Sequence, residues 1–300
     1  MSAPVRRTAP VAGGELTYGE WRADAPGTPV LAIHGITSSH LAWPFVADRL
    51  EGVRVVAPDL RGRAGSNGLP GPFGLRVHAD DMAAVLDAAG IDRAVVVGHS
   101  MGAFVAVRFA ELLPERVESL VLVDGGLPIP PPAGMTPEEA AAATLGPALE
   151  RLSMTFESVE VYREFWRKHP GIGPYWSDEI ESYVDYDLVG EAPELRASAN
   201  PEAIAENSLQ LDGTDDYAAA LMALETPIAF VRAPRGLFDQ PEALYAPETV
   251  DAWRDQLHDA TFVEAEGVNH YTVIMGDHGA EQVAPVIADR LDAARTKEIA

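Results

Sequence analysis

The chain has 300 residues, of which 47% are hydrophobic, so it is long enough and apolar enough to bury a large core. Its formal net charge of −24 excludes nucleic acid and anionic membranes as favoured partners, because phosphate binding needs clustered lysine and arginine. Cysteine is absent, which excludes disulfides and thiolate chemistry. No apolar run approaches ~18 residues and no apolar leader follows the first arginines, so we expect a cytoplasmic protein without a membrane span.

Short apolar segments alternate with helical segments along most of the chain, which is typical of a sheet covered by helices on both faces. An edge hairpin is predicted over residues 5–22, with its turn near Gly13 and Gly14. Further strands are predicted at 30–33, 53–57, 94–97, 120–123, 228–231 and 261–264, and helices at 41–50, 77–89, 101–113, 247–257 and 280–294. This order predicts an α/β fold with a doubly wound, mostly parallel sheet of about eight strands.

The alternation stops after Asp124, where glycine and proline dominate residues 125–132. From there to about residue 225 the sequence is helical and rich in aromatic side chains. We expect residues 127–225 to form a helical lid inserted after the sixth strand, here called the insertion, with 1–126 and 226–300 as one core domain. Five of its aromatic residues are candidates for lining a substrate pocket, although each could instead pack the insertion onto the core: Phe165, Trp166, Tyr175, Trp176 and Tyr183.

The pentapeptide Gly98-His99-Ser100-Met101-Gly102 lies between a predicted buried strand and a predicted helix. A serine hydroxyl is a weak nucleophile that reacts only when it is held exposed beside a base. A sharp turn from strand to helix holds it in this way, and the flanking glycines leave room for neighbouring backbone. The pattern therefore predicts a nucleophile at Ser100, with His99 as a buried packing residue.

A reactive serine needs a histidine base and a carboxylate that orients the histidine. His270 follows the last predicted strand and is favoured over His278, which leads into the final helix. Two acids leave the same sheet edge and preserve the chain order of serine, acid and histidine. Asp239, after the strand at 228–231, is preferred, and Asp124, at the end of the strand at 120–123, is the alternative.

An oxyanion site needs backbone N–H groups aimed at the developing negative charge. One is expected from Met101 at the start of the helix, where the helix dipole adds positive potential, and the other from Ile36 in the loop after the strand at 30–33. His34, in that loop, is interpreted as a structural hydrogen-bonding residue. No glycine-rich phosphate loop and no metal-ligand spacing occurs, so neither a cofactor nor a metal is expected.

Five motifs in chain order together resemble the α/β-hydrolase family: His34-Gly35, Asp59-Leu60-Arg61-Gly62, Gly98-His99-Ser100-Met101-Gly102, Gly236 with Asp239, and Asn269-His270. The resemblance covers residues from about 15 to 295 and implies Ser100 as nucleophile, His270 as base and Asp239 as acid. The chain departs from the family pattern before Asp239, where Ala233-Pro234-Arg235 replaces a more usual glycine. Serine at the turn, where haloalkane dehalogenases and epoxide hydrolases have aspartate, argues against both activities.

The resemblance implies a serine hydrolase that cleaves a carboxylic ester or lactone through an acyl-enzyme. A small, neutral to hydrophobic substrate is expected, because the net charge of −24 repels anions at long range. Thioesterases, C–C bond hydrolases and cofactor-free perhydrolases of the family share this layout. A ligand-binding receptor on the same scaffold is the non-enzymatic alternative.

Overall fold

The computed structural model describes residues 3–129, 134–136, 139, 146, 150–211, 213 and 216–299. The strands are β1 (Val5–Val11), β2 (Gly14–Trp21), β3 (Val30–Ile33), β4 (Val55–Pro58), β5 (Ala94–His99), β6 (Val117–Val123), β7 (Leu188–Val189), β8 (Arg196–Ala197), β9 (Ile228–Arg232) and β10 (Thr261–Glu264). The helices are α1 (Pro44–Arg49), α2 (Leu75–Ala88), α3 (Met101–Leu112), α4 (Val159–Arg167), α5 (Asp178–Tyr186), α6 (Pro201–Ser208), α7 (Tyr217–Ala223), α8 (Pro247–Arg254) and α9 (Asp277–Ile299).

The main sheet has eight strands in the order β1-β2-β4-β3-β5-β6-β9-β10. The edge strand β1 is antiparallel to β2, and β2 is antiparallel to β4. The remaining neighbours, from β4 to β10, pair in parallel. The predicted doubly wound, mostly parallel sheet is therefore confirmed, together with its antiparallel edge hairpin.

The core has two layers because successive side chains of a strand point to opposite faces of the sheet. In β5, Val96 packs on one face with Leu86 of α2 and Phe104 of α3. Val97 points to the other face, where it packs with Phe45 of α1 and other apolar side chains. Both faces of the central strands are thus covered, which explains why these strands read as continuous apolar runs.

The segment between β6 and β9 carries α4 to α7 and a small antiparallel pair, β7 and β8. The sequence did not predict this pair, because two residues per strand are too few to show alternation. The segment contacts the core through side chains and backbone: Tyr186 donates to Asp59 Oδ2 at 2.7 Å, and the Asn200 amide donates to the Gly62 carbonyl at 2.8 Å. The boundaries at 127 and 225 stay predictions.

Among the residues that the structure describes, no helix is both long enough and apolar enough to cross a membrane.

Candidate active site

Ser100 lies on a sharp turn between β5 and α3, at the carboxyl edge of the sheet. Its backbone has φ 54° and ψ −125°, a conformation that residues other than glycine rarely adopt. A hydrogen bond to β6 stabilises the turn, because the Ser100 amide donates to the Val123 carbonyl at 3.0 Å. Ser100 is half-buried at the end of a buried strand, so its hydroxyl is presented at the edge of the core.

The glycines of the pentapeptide are required by close backbone contacts. A Cβ on Gly98 would lie 2.4 Å from the Gly102 carbonyl oxygen, and a Cβ on Gly102 would lie 2.1 Å from the Ile33 carbonyl oxygen. Gly35 is adjacent to the serine side chain, since a Cβ there would lie 3.1 Å from Ser100 Cβ. The loop after β3 thus approaches Ser100 closely.

His270 forms its carboxylate contact with Asp124. The Nδ1 atom of His270 lies 2.7 Å from Asp124 Oδ2, and both side chains are buried. The other oxygen, Oδ1, accepts from the Ala233 amide at 3.1 Å, and the Asp124 amide donates to the Val231 carbonyl at 2.7 Å. A proton on Nδ1 facing the carboxylate leaves Nε2 as the basic nitrogen of the ring.

This geometry corrects the preference for Asp239. Its Oδ1 accepts from Asn269 Nδ2 at 3.0 Å and its Oδ2 accepts from Arg235 Nη1 at 3.1 Å. Both carboxylate oxygens therefore have partners other than His270, and the residue itself has φ 61° in the loop after β9. Asp124, the alternative acid, is the carboxylate that the fold brings to His270, whereas His278 is exposed at the start of α9.

His99 does more than pack, which sequence reasoning missed. Its Nε2 atom donates to the His270 carbonyl at 2.8 Å, and the two rings lie 4.7 Å apart between centroids. Burial holds the pKa of His99 well below its usual value, so the ring is neutral and its donor is directed at the backbone of His270. The residue before the serine thereby fixes the backbone that carries the histidine.

The loop after β3 is held in one conformation by His34. Its Nδ1 atom donates to the Gly35 carbonyl at 2.7 Å, while its Nε2 atom accepts from the Leu60 amide at 2.9 Å. Burial lowers the pKa of His34 to about 4, so the ring stays neutral in this tautomer. The Gly35 carbonyl belongs to the peptide that carries the Ile36 N–H, so His34 orients the oxyanion donor that is predicted at Ile36. The other predicted oxyanion donor, the Met101 amide, belongs to the first residue of α3.

The five candidate pocket residues differ in environment. Trp166 and Tyr183 are buried, and Phe165, Tyr175 and Trp176 are half-buried. Their assignment to a substrate pocket stays a prediction.

Across the described residues, no group of three or more histidine and carboxylate side chains is arranged to hold a metal ion.

Several known proteins are similar to this chain in sequence or in structure. A family model described as the α/β-hydrolase fold matches residues 28–159. The chain is 28% identical over 290 residues to a serine hydrolase-like protein of Danio rerio, covering 94% of this chain and 86% of that protein. It is 39% identical over 95 residues to the lipase LipV of Mycobacterium tuberculosis, covering 32% of this chain and 36% of the lipase.

The chain spans about a third of the length of LipV and of the other mycobacterial relatives that it matches at 35% identity. Among solved structures, an E-2-(acetamidomethylene)succinate hydrolase superposes with a TM-score of 0.78 at 22% identity, covering 96% of this chain and 99% of that one. The eight-stranded sheet, the family model over residues 28–159 and this full-length structural similarity show that the chain has the α/β-hydrolase fold.

Proposed function

We propose that this protein is a serine hydrolase that cleaves a carboxylic ester or lactone through an acyl-enzyme. The observation that carries the proposal is the contact between His270 Nδ1 and Asp124 Oδ2 at 2.7 Å, at the sheet edge where Ser100 follows β5. Hydrolase activity is supported by the fold and by the names of relatives that include a lipase and a carbamate hydrolase. Some relatives are epoxide hydrolases, but this chain has serine rather than aspartate at the turn.

The proposed reaction begins when Ser100 Oγ attacks the carbonyl carbon of the ester and His270 Nε2 accepts the hydroxyl proton. Asp124 keeps the other ring nitrogen protonated and stabilises the imidazolium that forms. The negative charge on the carbonyl oxygen is held by the amides of Ile36 and Met101. His270 returns the proton to the leaving alkoxide, the C–O bond breaks, and the acyl group remains on Ser100.

In the second half of the reaction, water attacks the acyl carbon and gives one proton to His270. The tetrahedral intermediate collapses, the acid leaves, and the proton returns to Ser100 Oγ. The cycle consumes one water and needs no cofactor. A neutral or hydrophobic acyl group is favoured, because a chain of net charge −24 repels anionic substrates at long range.

The test is turnover of p-nitrophenyl esters of graded chain length, with a neutral lactone, a thioester and an anionic ester as further arms. We expect hydrolysis of the neutral esters or the lactone, and a loss of at least about 10⁴-fold in Ser100→Ala. Circular dichroism and thermal unfolding check that the variant is folded. Turnover confined to the thioester would replace the proposed substrate class, and no turnover in any arm would favour a ligand-binding receptor.

A further inference from the structure

Arg63 is a fully buried cation between the loop that carries Ile36 and helix α6 of the insertion. Its Nε atom donates to the Ile36 carbonyl at 2.9 Å. Its Nη2 atom donates to Asn207 Oδ1 at 2.7 Å and lies 3.8 Å from the sulfur of Met101. The guanidinium therefore contacts both residues whose amides are proposed to hold the oxyanion.

The partners of Arg63 carry no charge. Besides Ile36 and Asn207, they are the backbone carbonyls of Arg61 at 2.8 Å and Ala203 at 3.5 Å. No carboxylate of the described chain lies within salt-bridge distance of Arg63, and the charge of Glu206 acts on it only from further away.

Every other buried arginine of the described chain has a carboxylate partner. The pairs are Arg61 with Asp81, Arg108 with Glu111, Arg151 with Asp187 and Arg232 with Glu264. This difference is notable in a chain with 46 acidic residues. A buried cation without a counter-ion destabilises a fold, because the lost hydration is not replaced by an opposite charge.

Burial lowers the pKa of Arg63 to about 9, which still leaves the guanidinium charged at neutral pH. The positive charge therefore persists beside Ile36 and Met101 in a region from which water is excluded. A fixed charge in such a low-dielectric environment acts more strongly on a nearby developing charge than it would in water.

We propose that Arg63 is a positioning residue for the oxyanion site, which holds the Ile36 loop from behind and stabilises the tetrahedral intermediate through its unpaired positive charge. This inference rests on the proposed acyl-enzyme mechanism. The proposed role also explains why Arg63 has no counter-ion, because a carboxylate beside the guanidinium would cancel the electric field that it exerts on the oxyanion. The cost of the unpaired charge to folding is thereby linked to stabilisation of the intermediate.

The first test compares Arg63→Met, Arg63→Lys and Arg108→Met in p-nitrophenyl ester hydrolysis. Arg108 is a matched control, since it is buried but ion-paired and lies on α3 about 12 Å along the helix from Ser100. We expect Arg63→Met to lower kcat by about 10- to 100-fold with KM changed by less than about threefold. Arg63→Lys should recover a large part of that loss because it restores the charge.

A second readout separates an electrostatic role from a structural one. A boronic acid inhibitor forms an anionic tetrahedral adduct with the serine, so its Ki should rise in Arg63→Met in proportion to the loss in kcat/KM. A loss in Arg63→Met no greater than in Arg108→Met would overturn the inference. So would a loss confined to KM, an unchanged Ki, or a lysine variant as slow as the methionine variant.

Asn207→Asp keeps the test open if Arg63→Met does not fold. The substitution places a carboxylate of the same shape against Arg63 without removing the guanidinium. The substitution also removes the hydrogen bond that Asn207 Nδ2 donates to the Phe73 carbonyl, so some thermal stability is lost. We expect a lower kcat per competent molecule at pH 8, with the competent molecules counted by active-site titration. An unchanged kcat would overturn the inference, whereas an inactive wild type would refute the proposed function itself.

Discussion

Two histidine–aspartate pairs with nearly the same geometry occur among the residues that the structure describes. In the first, His270 Nδ1 lies 2.7 Å from Asp124 Oδ2, and in the second, His40 Nδ1 lies 2.8 Å from Asp59 Oδ1. Both carboxylates are fully buried at the ends of parallel strands. Distance and burial alone therefore do not distinguish a catalytic pair from a structural one.

The difference lies in what else each carboxylate binds. Asp59 also accepts from the backbone amide of His40 at 2.8 Å, the Gly65 amide at 3.0 Å and the Tyr186 hydroxyl at 2.7 Å, so it joins three segments of the fold. Asp124 accepts one backbone amide besides His270, and its histidine belongs to the sheet edge where Ser100 has a strained backbone. A hydroxyl held at such a turn distinguishes the candidate site from the structural pair.

The largest expected effect is the difference in kcat between Asp124→Asn and Asp239→Asn. The first variant should lower kcat by about 10³- to 10⁴-fold, because an amide no longer fixes the tautomer of His270 or stabilises its protonated form. The second should keep kcat within about threefold of wild type, because Asp239 binds Arg235 and Asn269 instead.

Steady-state ester hydrolysis at pH 8 measures both rates, with thermal unfolding as the control for folding. If Asp239→Asn were the slower variant, the pairing seen in the structure would not be the one used in the reaction.

This pair of aspartates also shows where sequence reasoning stops. The turn at Ser100 could be predicted because the pentapeptide pattern is itself local: Gly98 is required by contacts with Gly102 and Ala103, and only Gly102 is required by a distant segment, the neighbouring strand β3. The choice of acid could not, because both aspartates leave the same edge and their order along the chain is the same. Arg235, within the segment that departs from the family pattern, was the available signal, since it offers Asp239 a competing partner four residues away.

The strands of the core were predicted for a similar reason. A strand such as β3, at Val30–Ile33, is buried on both faces and must be apolar throughout, so its sequence alone identifies it as a buried strand. The unpaired charge of Arg63 left no such signal, because pairing depends on which side chains the fold brings together. The same limit applies to β7 and β8, which have two residues each.

Mutation of the second pair, His40 and Asp59, should lower the free energy of unfolding of the protein rather than its kcat. Asp59→Asn removes the charge that four donors surround, and we expect a loss of about 3 kcal/mol in the free energy of unfolding. The kcat per folded molecule should stay within about twofold of wild type. Urea unfolding measures the first quantity and active-site-titrated hydrolysis the second; a large fall in kcat with unchanged stability would assign this pair to catalysis.

The pH dependence of that stability has a definite sign. Burial by itself would raise the pKa of Asp59, but the charge of His40 and the donated hydrogen bonds lower it below its usual value. The unfolded chain therefore binds the proton first, so this stabilisation is present at neutral pH and is lost as the pH falls below about 4. Urea midpoints should fall less steeply with acidification in Asp59→Asn than in wild type.

The smallest effect is expected in Tyr186→Phe, which removes one of the four donors to Asp59 and the hydroxyl that connects α5 of the insertion to the core. We expect a loss of about 1.5 kcal/mol in the free energy of unfolding, because one hydrogen bond to a charged group is broken. In the Asp59→Asn background the same substitution should cost less, since the charge that strengthens this hydrogen bond is gone. Equal losses in the two backgrounds would mean that Tyr186 stabilises the protein through its ring rather than through Asp59.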